Sequence, residues 1–90
     1  MSLFFFKSNK KYYSRSEIAL HNSKESLWVI SNNKVYDITS YYNKSEHPGG
    51  TQILLSRGGG KIDCSNDFNF HSQKTQNHIH KTYFIGYVSK

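Results

Sequence analysis

Proline and cysteine each occur once in this 90-residue chain. The single cysteine, Cys64, excludes an intrachain disulfide framework and fits a reducing compartment. No apolar run approaches the roughly 20 residues that a membrane-spanning helix needs. Leu3-Phe4-Phe5-Phe6 is far too short and has no signal-peptide pattern. Its residues leave open the stub of a trimmed anchor, a surface clip or a disordered stretch. Acidic residues are few, six against twelve Lys and Arg, for a formal charge of +6. That balance permits nucleic acid, an anionic membrane or an acidic protein as partner and selects none of them. Only Lys7, Lys10, Lys11 and Arg15 lie close together, which reads as solvated surface.

Aromatic residues are plentiful, with seven Tyr and six Phe making most of a 16% share. They supply much apolar area per residue, which suits a small core or a flat ligand. One domain is the default at this length, and so small a domain often needs a staple beyond its core. With disulfides excluded, a bound cofactor is the staple to look for.

Residues 1–10 read as a flexible lead-in and 11–90 as the folded domain. Lys11-Tyr12-Tyr13 predicts a short edge strand. Ser14-Arg15-Ser16-Glu17 is a capping-box pattern, Ser14 capping a short helix through Leu20 and Glu17 reaching back. Ser26 to Ile30 and Val35 to Ile38 predict a hairpin around Asn32 and Asn33, residues that tolerate positive φ. Thr51 to Ser56 predicts a short helix ended by Gly58-Gly59-Gly60. Residues 61–70 are polar with two aromatics. His71 to Lys81 predicts a helix, and Tyr83 to Val88 a closing strand. The expected class is α+β, with no repeats and no linker.

The one proline stands in His47-Pro48-Gly49-Gly50, where it can bend the chain sharply while the glycines allow close backbone approach to a flat ligand. Of the five histidines, His47 and His71 are framed to project toward a shared apolar slot. Ile53 and Leu54 lie between them, and Phe68 and Phe70 precede His71.

Trp28-Val29-Ile30, Lys34-Val35-Tyr36-Asp37-Ile38-Thr39, His47-Pro48-Gly49-Gly50, Gly59-Gly60, His71-Ser72 and Ile85-Gly86 together closely resemble the cytochrome b5 haem-binding domain, over roughly residues 11–88. The second histidine follows the first by 71 − 47 = 24 positions, the family's own spacing. The resemblance implies a mixed sheet with two short helix pairs forming a haem pocket. It implies non-covalent haem b, with His47 and His71 as its axial ligands. Two protein ligands would leave no open coordination position, so the implied task is single-electron transfer without catalytic residues.

The same resemblance assigns Ile38, Tyr41, Ile53 and Leu54 to one side of the pocket, and Phe68, Phe70, Ile79 and Tyr83 to the other. It gives Ser72 to a haem propionate. His21 is read as structural, His78 and His80 as surface residues, with His78 near the pocket rim. Redox partner proteins are implied, a reductase and an acceptor such as a desaturase or hydroxylase. A monomer without nucleic acid or membrane span is expected, cytoplasmic or on the cytoplasmic face of a membrane.

Four departures stand out. The segment between Thr39 and His47 is two residues longer than the family's, so a bulge is expected there. One extra residue between His71 and Gly86 shifts the register of Ile79 and Tyr83. Asn66 replaces a pocket Phe, a place that Phe68 or Phe70 could fill by a shifted backbone. The charge around the pocket is also balanced rather than acidic, which implies a partner face less basic than usual. A cofactor-free basic binding module is the alternative of a different class. Arg57-Gly58-Gly59-Gly60-Lys61 fails as a phosphate loop, because Ile62 and Leu55 stand where that motif needs Ser or Thr and Gly. A zinc site from Cys64, His71, His78 and His80 lacks the usual paired spacing.

Overall fold

The computed structural model describes residues 10–44 and 52–90. His47, Pro48, Gly49, Gly50 and Thr51 lie outside the described residues, as does the lead-in up to residue 9.

Leu27-Trp28-Val29-Ile30 is apolar without a break, and an unbroken run in a strand requires both faces of the sheet to be covered. Strand β3 (Ser26–Ser31) carries this run and is the most buried element. It pairs antiparallel with β4 (Lys34–Asp37), Val29 facing Tyr36 and Ile30 facing Val35. Asn32 and Asn33 make the tight turn between them with φ of 54° and 64°. Two successive positive φ values match the twist of the flanking strands, and asparagine accepts them at little cost. Strand β5 (Phe84–Val88) adds antiparallel to β4 with an irregularity at Val35 and Tyr36. β1 (Tyr12–Tyr13) lies parallel to β5 at one edge, and β2 (Asn22–Ser23) antiparallel to β3 at the other. The order is β1-β5-β4-β3-β2, a mixed sheet.

Strand alternation sends the two halves of the run to opposite faces. Trp28, Ile30, Val35 and Val88 pack with Ile18 of helix α1 (Arg15–Ala19). Leu27, Val29, Tyr36 and Ile38 pack on the other side beneath Leu54, Leu55, Phe68, Ile79 and Tyr83. Each fully buried aliphatic side chain stabilises the fold by about 1.5–3 kcal/mol. The second face is covered by α2 (Thr39–Asn43), α3 (Gln52–Arg57), α4 (Ser65–Phe70) and α5 (Gln73–Tyr83).

Gly58–Gly60 form a 3-10 turn after α3, with φ near +72° at Gly59 and +74° at Gly60. A Cβ on Gly60 would fall 2.6 Å from Ile30 Cδ1, so the triplet lets the chain turn back tight against β3.

Several elements differ from the expectation. Tyr83 is the last residue of α5, not the first of β5. Its ring packs into the cluster under the helices, and that burial extends the helix. α5 starts at Gln73, leaving His71 in front of it. Residues 65–70, expected as a polar stretch, form α4 because Phe68 packs on Tyr36 with ring centroids 5.6 Å apart. Ser14 caps α1 as expected, accepting from the Glu17 amide at 3.1 Å. The Glu17 carboxylate instead takes His21 Nε2 at 2.9 Å, one helical turn on.

Candidate cofactor cleft

Between the sheet and the helices lies a cleft of about 560 Å³. Val29 and Tyr36 of the sheet, with Ile38 at the start of α2, form its floor. Tyr41 of α2 and Ile53 and Leu54 of α3 line one side. Phe68 and Phe70 of α4, with Ile79 and Tyr83 of α5, line the other. All eight expected pocket residues therefore face one space, and His71 borders it too. The extra residue before Gly86 leaves both Ile79 and Tyr83 on the cleft side.

Near Asn66 the two phenylalanines divide the work. Phe68 is half-buried against Tyr36, whereas Phe70 stands 90% exposed at the rim. Ile53 at 43% and Tyr41 at 37% also show apolar surface in the cleft. Apolar side chains directed into an open slot are what a flat apolar ligand would cover. Tyr41 meets Tyr83 across the helices edge to face at 5.8 Å. Burial, then the neighbouring Tyr83, pushes the Tyr41 hydroxyl above its ordinary range.

His71 owes its place to a break between two helices. α4 stops at Phe70, and the His71 amide donates to Phe68 O at 3.1 Å as the chain becomes extended (φ −73°, ψ 159°). Ser72 is extended too and caps α5, its Oγ accepting from Thr75 N at 3.2 Å. The ring nitrogens of His71 have no hydrogen-bond partner among the described residues. Ser72 itself stands outside the described lining, and its hydroxyl donates to Thr75 Oγ1 at 3.1 Å.

The polar groups at the mouth are few. Arg57 Nε donates to Asp67 Oδ2 at 2.7 Å, which neutralises both side chains. Cys64 lines the cleft, and burial pushes its thiol up to about 11. His78 lines it from α5 while remaining exposed. His80 differs from the surface position expected. It is half-buried, stacked on Phe84 at 4.4 Å, with Nδ1 3.2 Å from the Tyr36 hydroxyl. The aromatic floor of the sheet draws it in. Tyr36, lining the floor, is raised by burial and by Tyr87.

Among the described residues no three His, Cys, Asp or Glu side chains cluster to hold a metal ion. A zinc site at Cys64, His71, His78 and His80 is therefore not formed. His78 lines the rim, in line with the expectation, whereas Val29, Tyr36, Cys64 and Thr75 are additions to the expected lining. Val29 and Tyr36 are legible as facing residues of the hairpin; Cys64 and Thr75 follow from helix placement.

A sheet floor, paired helices and a histidine at the break between two of them define a small cofactor-binding α+β domain. The chain belongs to the cytochrome b5 family: the model of the cytochrome b5-like heme/steroid binding domain matches residues 14–89. Cytochrome b5 of Rattus norvegicus is 40% identical over 77 residues, covering 84% of this chain and 54% of the relative. The cytochrome b5-like protein of Arabidopsis thaliana is 51% identical over 53 residues, 59% of this chain and 42% of that protein. The chain thus spans about half the length of the curated relatives it matches. Among solved structures, cytochrome b5 of Ostreococcus tauri virus 2 superposes with a TM-score of 0.69 at 32% identity, covering 86% of this chain and 83% of the other. Cytochrome b558 of Ectothiorhodospira vacuolata shares the fold, with a TM-score of 0.71 at 24% identity, over 88% and 99% of the two chains.

Proposed function

We propose that this domain holds haem b non-covalently in the cleft, with His47 and His71 as the two axial ligands, and serves as a single-electron carrier rather than an enzyme. The observation that carries the reading is the His71 imidazole at the border of an apolar slot, without a hydrogen-bond partner among the described residues. A neutral imidazole is a good iron ligand, and its other nitrogen remains available for an orienting bond. The family description also covers steroid binding, but a steroid gives no use for an imidazole at that position.

Ile38, Tyr41, Ile53, Leu54, Phe68, Phe70, Ile79 and Tyr83 would enclose the macrocycle and exclude water. Ser72 would offer its hydroxyl to a propionate by turning its proton away from Thr75. When bound, the iron supplies reversible one-electron exchange, its potential tuned by ligand type and burial. Electrons would pass to and from partner proteins, a reductase and an acceptor such as a desaturase or hydroxylase. The domain would act as a monomer in the cytoplasm or at the cytoplasmic face of a membrane. Among the described residues no helix is long and apolar enough to cross a membrane.

Absorption spectra with added haem, oxidised and reduced, test the reading on the parent, His47→Ala and His71→Ala. A low-spin parent spectrum, lost or turned high-spin in each variant, supports bis-histidine ligation. Absence of stoichiometric uptake, or low-spin spectra unchanged in both variants, overturns it in favour of the cofactor-free basic module.

A further inference from the structure

We infer that Gln76 and Asn32 are positioning residues for His71, acting through the backbone that carries it. This rests on the proposal that His71 is an iron ligand. The relevant geometry starts at the far end of the sheet. The Asn32 amide nitrogen donates to Ser65 Oγ at 2.7 Å, at the start of α4. Its side-chain Nδ2 donates to Asn69 Oδ1 at 3.1 Å, near the end of α4. Cys64 N, just before the helix, donates to Ile30 O at 2.7 Å. The β3–β4 turn therefore grips α4 at both ends, and the positive φ of Asn32 is what aims both donors at one helix.

From the other side, Gln76 folds back over the first turn of α5. Its backbone N–H donates to Ser72 O at 2.9 Å, while its side-chain Nε2 donates to His71 O at 2.8 Å and Asn69 O at 3.4 Å. Holding the carbonyl of His71 fixes the peptide plane after it, and together with its amide bonded to Phe68 O this constrains the direction of its Cα–Cβ bond. The ring is left with only its own side-chain torsions to settle. Asn69 is the shared member: its side chain answers to Asn32 and its carbonyl to Gln76. The two clamps thus set the α4 end and the His71 link relative to the sheet that floors the cleft. Nothing in this arrangement needs Gln76 or Asn32 to touch a ligand.

The test uses the haem-loaded protein and three variants chosen to separate shape from hydrogen bonding. Gln76→Glu is isosteric but cannot donate to a carbonyl. Gln76→Lys changes the shape and keeps a donor. Asn32→Asp keeps the tolerance for positive φ and loses the donor to Asn69. A carboxylate near the start of α5 also suits the helix dipole, which offsets part of the lost hydrogen bond, so melting of the haem-free variants is measured alongside to separate stability from ligand positioning.

The expected result is haem transfer to excess apomyoglobin faster by roughly 3- to 10-fold in Gln76→Glu and Asn32→Asp, the loss from one or two hydrogen bonds. The low-spin paramagnetic resonance g-values should shift in the same variants, while Gln76→Lys stays close to the parent. Release rates and g-values equal to the parent in both Gln76→Glu and Asn32→Asp would overturn the inference. So would changes that merely track the melting temperature of the haem-free forms. His71→Ala is run alongside: if it keeps the parent's low-spin signal, the ligand reading itself fails. If that signal is lost there but unmoved in Gln76→Glu and Asn32→Asp, only the positioning role fails.

Discussion

His21 lies flat on Trp28, the ring centroids 3.6 Å apart and the planes within 7° of parallel. Both its nitrogens are committed, Nδ1 to Ser26 Oγ at 2.6 Å and Nε2 to Glu17 at 2.9 Å. With the carboxylate as acceptor, Nε2 carries the proton, and in the neutral ring Nδ1 accepts from Ser26. This histidine joins α1 to β3 on the face away from the cleft and has nothing left to offer a metal. His71 shows the opposite condition, a ring at the cleft without a hydrogen-bond partner among the described residues.

Replacing His21 with Ala should therefore lower stability and leave the haem spectrum alone. Loss of one stacked ring and two partly exposed hydrogen bonds is worth about 1–2 kcal/mol. Urea denaturation followed by Trp28 fluorescence checks the size, and an altered spectrum would contradict the structural role.

Phe70 makes the reverse case. At 90% exposed it contributes little to the haem-free fold. Phe70→Ala should change the stability of that form by less than about 0.5 kcal/mol, as at most surface sites. Haem affinity should fall roughly tenfold, because the ring becomes buried only when the cleft is filled. Parallel haem titration and thermal melts separate the two effects.

Gly60 combines φ of +74° with a site where a Cβ would meet Ile30 Cδ1 at 2.6 Å. Gly60→Ala should cost about 2 kcal/mol or more, from the backbone strain and the crowded core together. Chemical denaturation of the haem-free protein measures it. Ala at neighbouring Lys61, exposed and with φ of −60°, is the neutral control.

Cys64 should react slowly. Burial lifts its thiol from 9.0 to about 11, partly countered by Arg57 and reinforced by Asp67 and Asp63. At pH 8 the thiolate fraction is then about a hundredfold below that of the unfolded chain, and alkylation should slow in proportion. Because the folded state holds the proton more tightly, this group's stabilising contribution is complete below pH 9.0 and is lost as pH rises toward about 11. Comparing denaturation midpoints of the parent and Cys64→Ala across that window isolates the effect from the tyrosines. Haem in the cleft should slow the alkylation further.

The sequence by itself determined the fold class and the family. The apolar run Leu27 to Ile30 and the Asn32-Asn33 pair specify a hairpin through local physics, since strand preference and positive φ act within a few residues. The motif around His47 and the spacing to His71 point to the family. Tertiary structure decided what depends on contacts distant in the chain. Tyr83 is helical and His80 is drawn inward because aromatic partners on β4, α2 and β5 cover them. α4 forms in a polar stretch because Phe68 finds Tyr36. The grip of Asn32 and Gln76 on the His71 link joins residues far apart in sequence, and only the folded chain brings those donors and carbonyls within hydrogen-bonding distance.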